Sequence, residues 1–319
     1  MIYIFGYYFE NNIGDNQFIY TMPYALKKIN DDFKLETFEF VNHQTIHKYI
    51  PFFKTTDIIV LGGGDVLTNF FLDKLDEIRE IVVTRLIAFS VGTSYISELN
   101  HPVLKYFESF YMRTFQDTVV MKKLFGDIIT VVPDTSFFLP DISLQENCDC
   151  DLQYKSKFPM ETVLVCLNQH SRDQFPVVHF AKLLDAITDQ YHIVFIPFCT
   201  GRQDDFIIHN DIKNEMKTTN YTLFKKTCLD HTIKLFKTSK YSIVMRFHAL
   251  MFSYIWDVNF LVLSETRKTL NFCIDVQLHG EKKLTMEKLK NLNQENFIKR
   301  LTMEFEKKIK YSDWLKMCL

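Results

Sequence analysis

Short apolar runs alternate with amphipathic stretches along most of the chain. Residues 2–9 form an apolar run of strand length, and residues 16–29 carry helical spacing. Residues 35–41 and 57–61 read as further strands, the second running straight into Gly62-Gly63-Gly64, and 85–91 is another. A helix over 102–110, a short strand at 110–113, a helix over 116–125 and a strand over 128–132 complete this half. Strands alternating with helices of 10–15 residues predict a parallel sheet covered on both faces. Residues 141–160 are polar, contain Cys148-Asp149-Cys150-Asp151 and break the periodicity, as a linker would. The pattern then resumes: strands over 162–167, 191–197, 241–245 and 260–264, and helices over 177–187 and 249–256. Leu229, Ile233 and Phe236 mark the apolar face of a further helix, and the tail from 286 to 319 has helical spacing. The expected fold class is therefore α/β, with two Rossmann-like domains facing across a cleft. The first spans residues 1–145 and the second 146–319, with C-terminal helices free to pack back on the first.

A length of 319 residues fits two cores better than one, because a single core rarely grows past about 250–300 residues. The net charge of −2, without a basic stripe, argues against nucleic acid as the main partner. Seven cysteines without a CxxC pair support neither a zinc site nor a disulfide framework. The chain shows neither a leader-like start nor an apolar span of membrane length, so a cytoplasmic protein is expected. The excess of Phe (31) and Tyr (15) over Ala and Gly fits an AT-rich genome and carries no chemistry.

In open parallel sheets ligands bind beyond the carboxyl ends of the strands. After the first strand comes Asn11-Asn12-Ile13-Gly14-Asp15-Asn16, which either caps the next helix or faces a ligand. Gly62-Gly63-Gly64-Asp65 matches neither a dinucleotide fingerprint nor a P-loop. Its glycines allow close approach of a ligand, or equally of a packed helix. Asp134, after Val132-Pro133, is expected to fix a turn or cap. Arg113 ends a short strand and either enters the cleft or pairs at the surface. The strongest constellation is Arg246-Phe247-His248, where a strand hands over to a helix. A helix N-terminus favours anions, Arg246 adds a planar fork, and His248 is suited to proton transfer. Arg267 and Lys268 bring further cations to the same edge, so an anionic ligand is expected.

In order along the chain, Asn12-Ile-Gly-Asp15, Asp57-Ile-Ile-Val-Leu-Gly-Gly-Gly64, Val132-Pro-Asp134, Arg246-Phe-His-Ala249, Asn259-Phe-Leu-Val-Leu-Ser264 and Lys268 resemble the polysaccharide pyruvyl transferases. The chain looks like a divergent or viral member. The resemblance implies a GT-B-like fold and transfer of the enolpyruvyl group of phosphoenolpyruvate to a sugar or glycan, forming a pyruvate ketal. It implies phosphoenolpyruvate as donor substrate, no cofactor and no metal. Arg246 would hold the donor with the helix N-terminus, helped by Arg113 or Lys268. His248 would transfer a proton, and Asp15 would orient or deprotonate an acceptor hydroxyl. Asn12, Gly14, Gly63 and Gly64 would line the acceptor side in the first domain. The family's Arg-Asp-x-x-Ser segment reads Arg113-Thr114-Phe115-Gln116-Asp117 here, keeping the Arg and losing both partners. Two alternatives follow: a nucleotide-sugar glycosyltransferase of GT-B type, or a non-catalytic member retained for binding or structure.

Overall fold

A computed structural model describes the chain apart from residues 30, 82–84, 94–98, 145–157, 159, 202, 265, 279 and 305–319. The first sheet contains β1 (Ile2–Gly6), β2 (Phe38–Asn42), β3 (Ile58–Gly64), β4 (Arg85–Val91), β5 (Phe107–Met112) and β6 (Ile129–Val131), in the order β2-β1-β3-β4-β5-β6. The second contains β7 (Thr162–Cys166), β8 (His192–Phe195), β9 (Tyr221–Leu223), β10 (Tyr241–Val244) and β11 (Asn259–Val262), in the order β11-β10-β7-β8-β9. Every pairing is parallel. Helices cover both faces, which is why β1, β3, β7 and β10 are apolar and buried along their whole length. The chain is thus two parallel-sheet α/β domains, with the predicted linker falling largely on 145–157, outside the described residues.

Two expectations shift at their edges. The segment expected as a helix over 102–110 is a 3-10 turn at Pro102–Tyr106 followed by β5, whose Phe107, Phe110 and Met112 are buried. Pro102 starts the turn, and the aromatic residues after it favour the pleated, half-buried surface of a strand. The tail expected to be helical over 286–319 divides, as far as it is described, into Met286–Lys290 and Gln294–Thr302, with residues from 305 on outside the described residues; Asn293 caps the second helix by accepting from the Asn296 amide at 2.8 Å. Phe297 and Leu301 of that helix enter the core of the second domain. Helices at Asn69–Ile81, Phe206–Glu215 and Arg267–Asp275 were not anticipated from the sequence.

The domains are locked together by both backbone and core. Asn12 and Cys199 form an antiparallel bridge, with the Ile13 amide donating to Phe198 at 2.8 Å and the Thr200 amide to Asn11 at 3.0 Å. Ile13, Phe137 and Leu139 pack into one core with Phe247, Tyr254 and Phe272 of the second domain. Cys228 is disulfide-bonded, although the cysteine spacing offered no framework; Cys166, Cys199 and Cys273 are free. No helix among the described residues is long and apolar enough to cross a membrane.

Candidate active site

The carboxyl ends of both sheets face one cavity of about 440 Å³. The first domain lines it with Tyr7, Glu10, Asn12, Asp15, Gly63, Gly64, Asp65, Val66 and Phe71. The second contributes Cys199, Gln203, Arg246 and Lys268.

The loop after β1 both caps and lines. Asn12 accepts from the Gly14 amide at 3.1 Å, and its side-chain amide donates to Asp15 at 2.6 Å. The loop therefore caps its helix and also presents Asn12 and Asp15 to the cavity. Burial raises the Asp15 carboxyl, more than His248, Lys268 and Arg246 lower it. Gly14 is required by packing: a Cβ there would lie 2.1 Å from His248 Nδ1.

The glycine triplet also divides its work. A Cβ on Gly62 would strike Met22, and one on Gly63 the Phe18 ring, so these two admit the helix Phe18–Ile29 against the sheet. Gly63 and Gly64 have φ of 73° and 89°, left-handed geometry that favours glycine. The resulting turn carries Asp65 into the cavity.

Behind the cavity wall runs a chain of alternating charges. Lys268 Nζ lies 3.2 Å from Asp65, and Asp65 pairs closely with Arg113. Arg113 reaches Asp134 at 3.4 Å, and Asp134 lies 3.8 Å from His248 Nε2. Burial would raise Asp65, but Lys268 and Arg113 outweigh it and hold the carboxyl at about 2. Asp134 is likewise held below the usual carboxylate range, with His248 and Arg113 overcoming burial. At 3.8 Å the His248 contribution is coulombic, because a hydrogen bond needs a shorter approach. Asp134 does cap, as expected, accepting from the Ser136 amide at 3.0 Å. Its other oxygen faces Arg113 and His248.

Arg113 and His248 do not line the cavity. Arg113 is 2% exposed, with its guanidinium 4.6 Å from the centre of the Phe247 ring. His248 is 7% exposed and stands edge-on to Phe18 and Phe247, each with ring centres 5.3 Å away. Its Nε2 has no hydrogen-bond partner among the described residues.

Arg246 faces the cavity, but its fork is engaged from behind. Nε donates to Asp205 at 2.9 Å, and Nη2 donates to the other Asp205 oxygen. Asp205 is fully buried and also accepts from the amides of Gln169, Phe198 and Cys199 at 3.0–3.2 Å. Burial raises its carboxyl, while Arg246 and the amides pull it down.

The altered family segment has a structural explanation. Thr114 caps the helix Phe115–Phe125 by accepting from the Asp117 amide at 3.1 Å. Asp117 in turn accepts from Arg267 and Asn271 of the second domain, both at 3.2 Å. Thr114 thus supplies a helix cap where the family motif has Asp, and Asp117, at the position of its Ser, makes an interdomain contact.

A family model for polysaccharide pyruvyl transferase matches residues 12–267. The chain belongs to this family. No curated protein matches it in sequence. Solved structures agree on the GT-B-like fold. An S. aureus MnaA–UDP co-structure superposes with a TM-score of 0.64 at 9% identity, covering 95% of this chain and 92% of that one. A putative UDP-N-acetylglucosamine 2-epimerase from Listeria monocytogenes gives 0.61 at 12% identity, over 100% and 91%. The E. coli ADP-heptose LPS heptosyltransferase II gives 0.51 at 11%, over 94% and 96%. These identities establish fold alone. Among the described residues no group of three or more His, Cys, Asp or Glu side chains is placed to hold a metal ion.

Asp65, Asp134 and Asp205, and the cavity-lining Tyr7, Glu10, Val66, Phe71, Cys199 and Gln203, are not assigned to the site by the sequence. Asp65 and Asp134 sat in quoted motifs and were visible by position. Asp205 follows no recognisable strand end in sequence, and only Arg246 reveals it.

Proposed function

We propose that this pyruvyl transferase family member moves the enolpyruvyl group of phosphoenolpyruvate onto a sugar or glycan. The observation that carries this reading is that one cavity gathers two cations from the second domain, Arg246 and Lys268, with Asn12 and Asp15 from the first. A donor bearing a carboxylate and a phosphate meets the cations, and the acceptor meets the first domain. A proton adds to the methylene carbon of the donor, leaving C2 electrophilic. One sugar hydroxyl attacks C2 and loses its proton; a second displaces phosphate, closing the ketal. Asp15, its carboxyl raised by burial, lines the cavity and is placed to exchange a proton with an acceptor hydroxyl. His248 lies behind Gly14, and protonating the donor requires it to turn into the cavity, past Gly14. Phosphoenolpyruvate is a substrate here, and no cofactor is invoked.

Incubation with phosphoenolpyruvate and a glycan panel should yield an acceptor carrying the mass of a pyruvate ketal, with phosphate released in equal amount. His248→Ala should abolish transfer in a chain that still unfolds cooperatively, at a Tm lowered by the cavity the buried ring leaves. Full transfer by that variant would remove His248 from the mechanism. A second reading, nucleotide-sugar transfer, draws on the UDP in one structural neighbour. Thermal stabilisation by UDP- or GDP-sugars, with none by phosphoenolpyruvate, would favour it. Stabilisation by none of these would favour the binding or structural role.

A further inference from the structure

β1 and β2 end in register, Gly6 beside Asn42. The next residues, Tyr7 and His43, leave the sheet side by side and stack, with ring centres 5.1 Å apart and planes 3° from parallel. One face of Tyr7 rests on His43, and Tyr7 is among the residues that line the cavity. The arrangement continues outward: Phe70 meets His43 edge-on at 5.4 Å, and Phe71 packs against Phe70 at 5.2 Å and lines the cavity. Phe70 is 50% exposed, which a core-filling role does not explain. Beside these rings Glu10 lines the cavity, its carboxylate receiving the Gln44 side-chain amide at 2.8 Å.

Aromatic surface beside a few fixed polar groups is the composition of a site for an amphipathic ring. The first-domain wall also carries Glu10, Asp15 and Asp65, while Arg246 and Lys268 stand on the other side. A second anion would therefore face three carboxylates.

We propose that Tyr7, backed by His43 and flanked by Phe70, Phe71 and Glu10, is the acceptor subsite, and that it takes a neutral pyranose. The apolar C–H face of the sugar lies on the Tyr7 ring, and its hydroxyls donate to the Glu10 carboxylate. Sugars bearing a carboxylate, such as uronic acids, are rejected by Glu10, Asp15 and Asp65. This assignment rests on the transferase reading above for its acceptor, but it can be tested without turnover.

The full chain is titrated with methyl galactoside, methyl glucoside and methyl glucuronide, followed by saturation-transfer NMR and calorimetry. Phosphoenolpyruvate is titrated separately. The neutral glycosides should bind more tightly than the glucuronide. Tyr7→Leu should weaken them about tenfold without changing phosphoenolpyruvate affinity, in line with the loss of one aromatic anchor. Phe70→Ala, at an exposed position with little risk to folding, should weaken them in the same direction. Glu10→Gln should narrow the gap between glucoside and glucuronide. Unchanged glycoside affinity in both Tyr7→Leu and Phe70→Ala, preferential binding of the glucuronide, or no glycoside binding at all would overturn the assignment. Glycoside binding without phosphoenolpyruvate binding would instead overturn the donor reading and leave the subsite standing.

Discussion

Replacing Asp205 with Asn tests what holds the cationic wall in place. Arg246 lies 13% exposed against a fully buried carboxylate, joined through Nε and Nη2. Each Asp205 oxygen meets one of these guanidinium nitrogens and at least one backbone amide, from Gln169 on one side and from Phe198 and Cys199 on the other. An amide side chain presents an NH₂ to one of these sets of donors whichever way it is turned. Donor then faces donor, and the Arg246 charge is left without its counter-ion. Removing one partner of a buried ion pair costs about 3–5 kcal/mol. For a chain of this size that lowers Tm by on the order of 10 °C. Scanning calorimetry and denaturant titration measure the loss, and the Michaelis constant for phosphoenolpyruvate should rise as Arg246 loses its orientation. The double variant Asp205→Asn/Arg246→Met should be more stable than the sum of the single losses, because it leaves no unpaired charge. A Tm within about 1 °C of the parent, with losses that simply add, would refute the anchoring role.

Two further outcomes follow from close contacts. Gly14→Ala would place Cβ 2.1 Å from His248 Nδ1, so the ring must shift. We expect abolished transfer with a stability loss of about 1–3 kcal/mol, and a variant with parental activity would show that His248 tolerates displacement. His209 is fully buried, and its Nε2 accepts from the Leu167 amide at 3.0 Å, so the neutral ring carries its proton on Nδ1. Burial, aided by Arg246, lowers it to about 3. Its folded value lies below the unfolded one, so this stability is present above about pH 6.5 and is lost as pH falls toward 3. The loss should be about 2 kcal/mol between pH 7 and 5. His209→Gln, whose side-chain carbonyl can accept the same amide, should flatten that slope in denaturant titrations. Parallel profiles for parent and variant would contradict the tautomer and its burial.

The fold was legible wherever a strand is buried on both faces. β3, β4, β7 and β10 announce themselves because helices cover both sides and nearly every residue is apolar, Arg85, Ser90, Thr162 and Ser242 excepted. β9 was missed because Tyr221–Leu223 is three residues long and only partly buried. The helix Asn69–Ile81 was missed although its spacing is amphipathic, since its Leu72, Leu75 and Ile78 sit among charges. At the site, strand-end position sufficed to find Asp15, Gly64, Arg246 and Lys268, because the topology sends every such end to one cleft. It did not separate residues on the wall from residues behind it. Arg113 and His248 follow strand ends as Arg246 does, yet they pack against Phe247 and Gly14 and do not line the cavity. That distinction depends on side-chain packing between two domains, which no local pattern records.

The charge chain from Lys268 to His248 gives the cleft a property that no single residue has. Lys268 belongs to the second domain and Asp65 to the first, and Arg113 and Asp134 carry the alternation back to His248 in the second. An anion entering beside Arg246 competes with Asp65 for Lys268, the exposed end of the chain at 35% side-chain exposure. If Lys268 turns to the ligand, Asp65 loses that cation and leans more fully on Arg113. Arg113 is packed on Phe247, beside His248 in sequence, so the change arrives next to the imidazole. On the proposed function, donor binding at Lys268 is then coupled to the surroundings of His248 through Arg113 and Asp134, which do not line the cavity. Lys268→Met separates this coupling from simple charge loss. It should weaken phosphoenolpyruvate binding and also move the pH dependence of transfer, whereas a purely local contact would change affinity and leave the profile where it was.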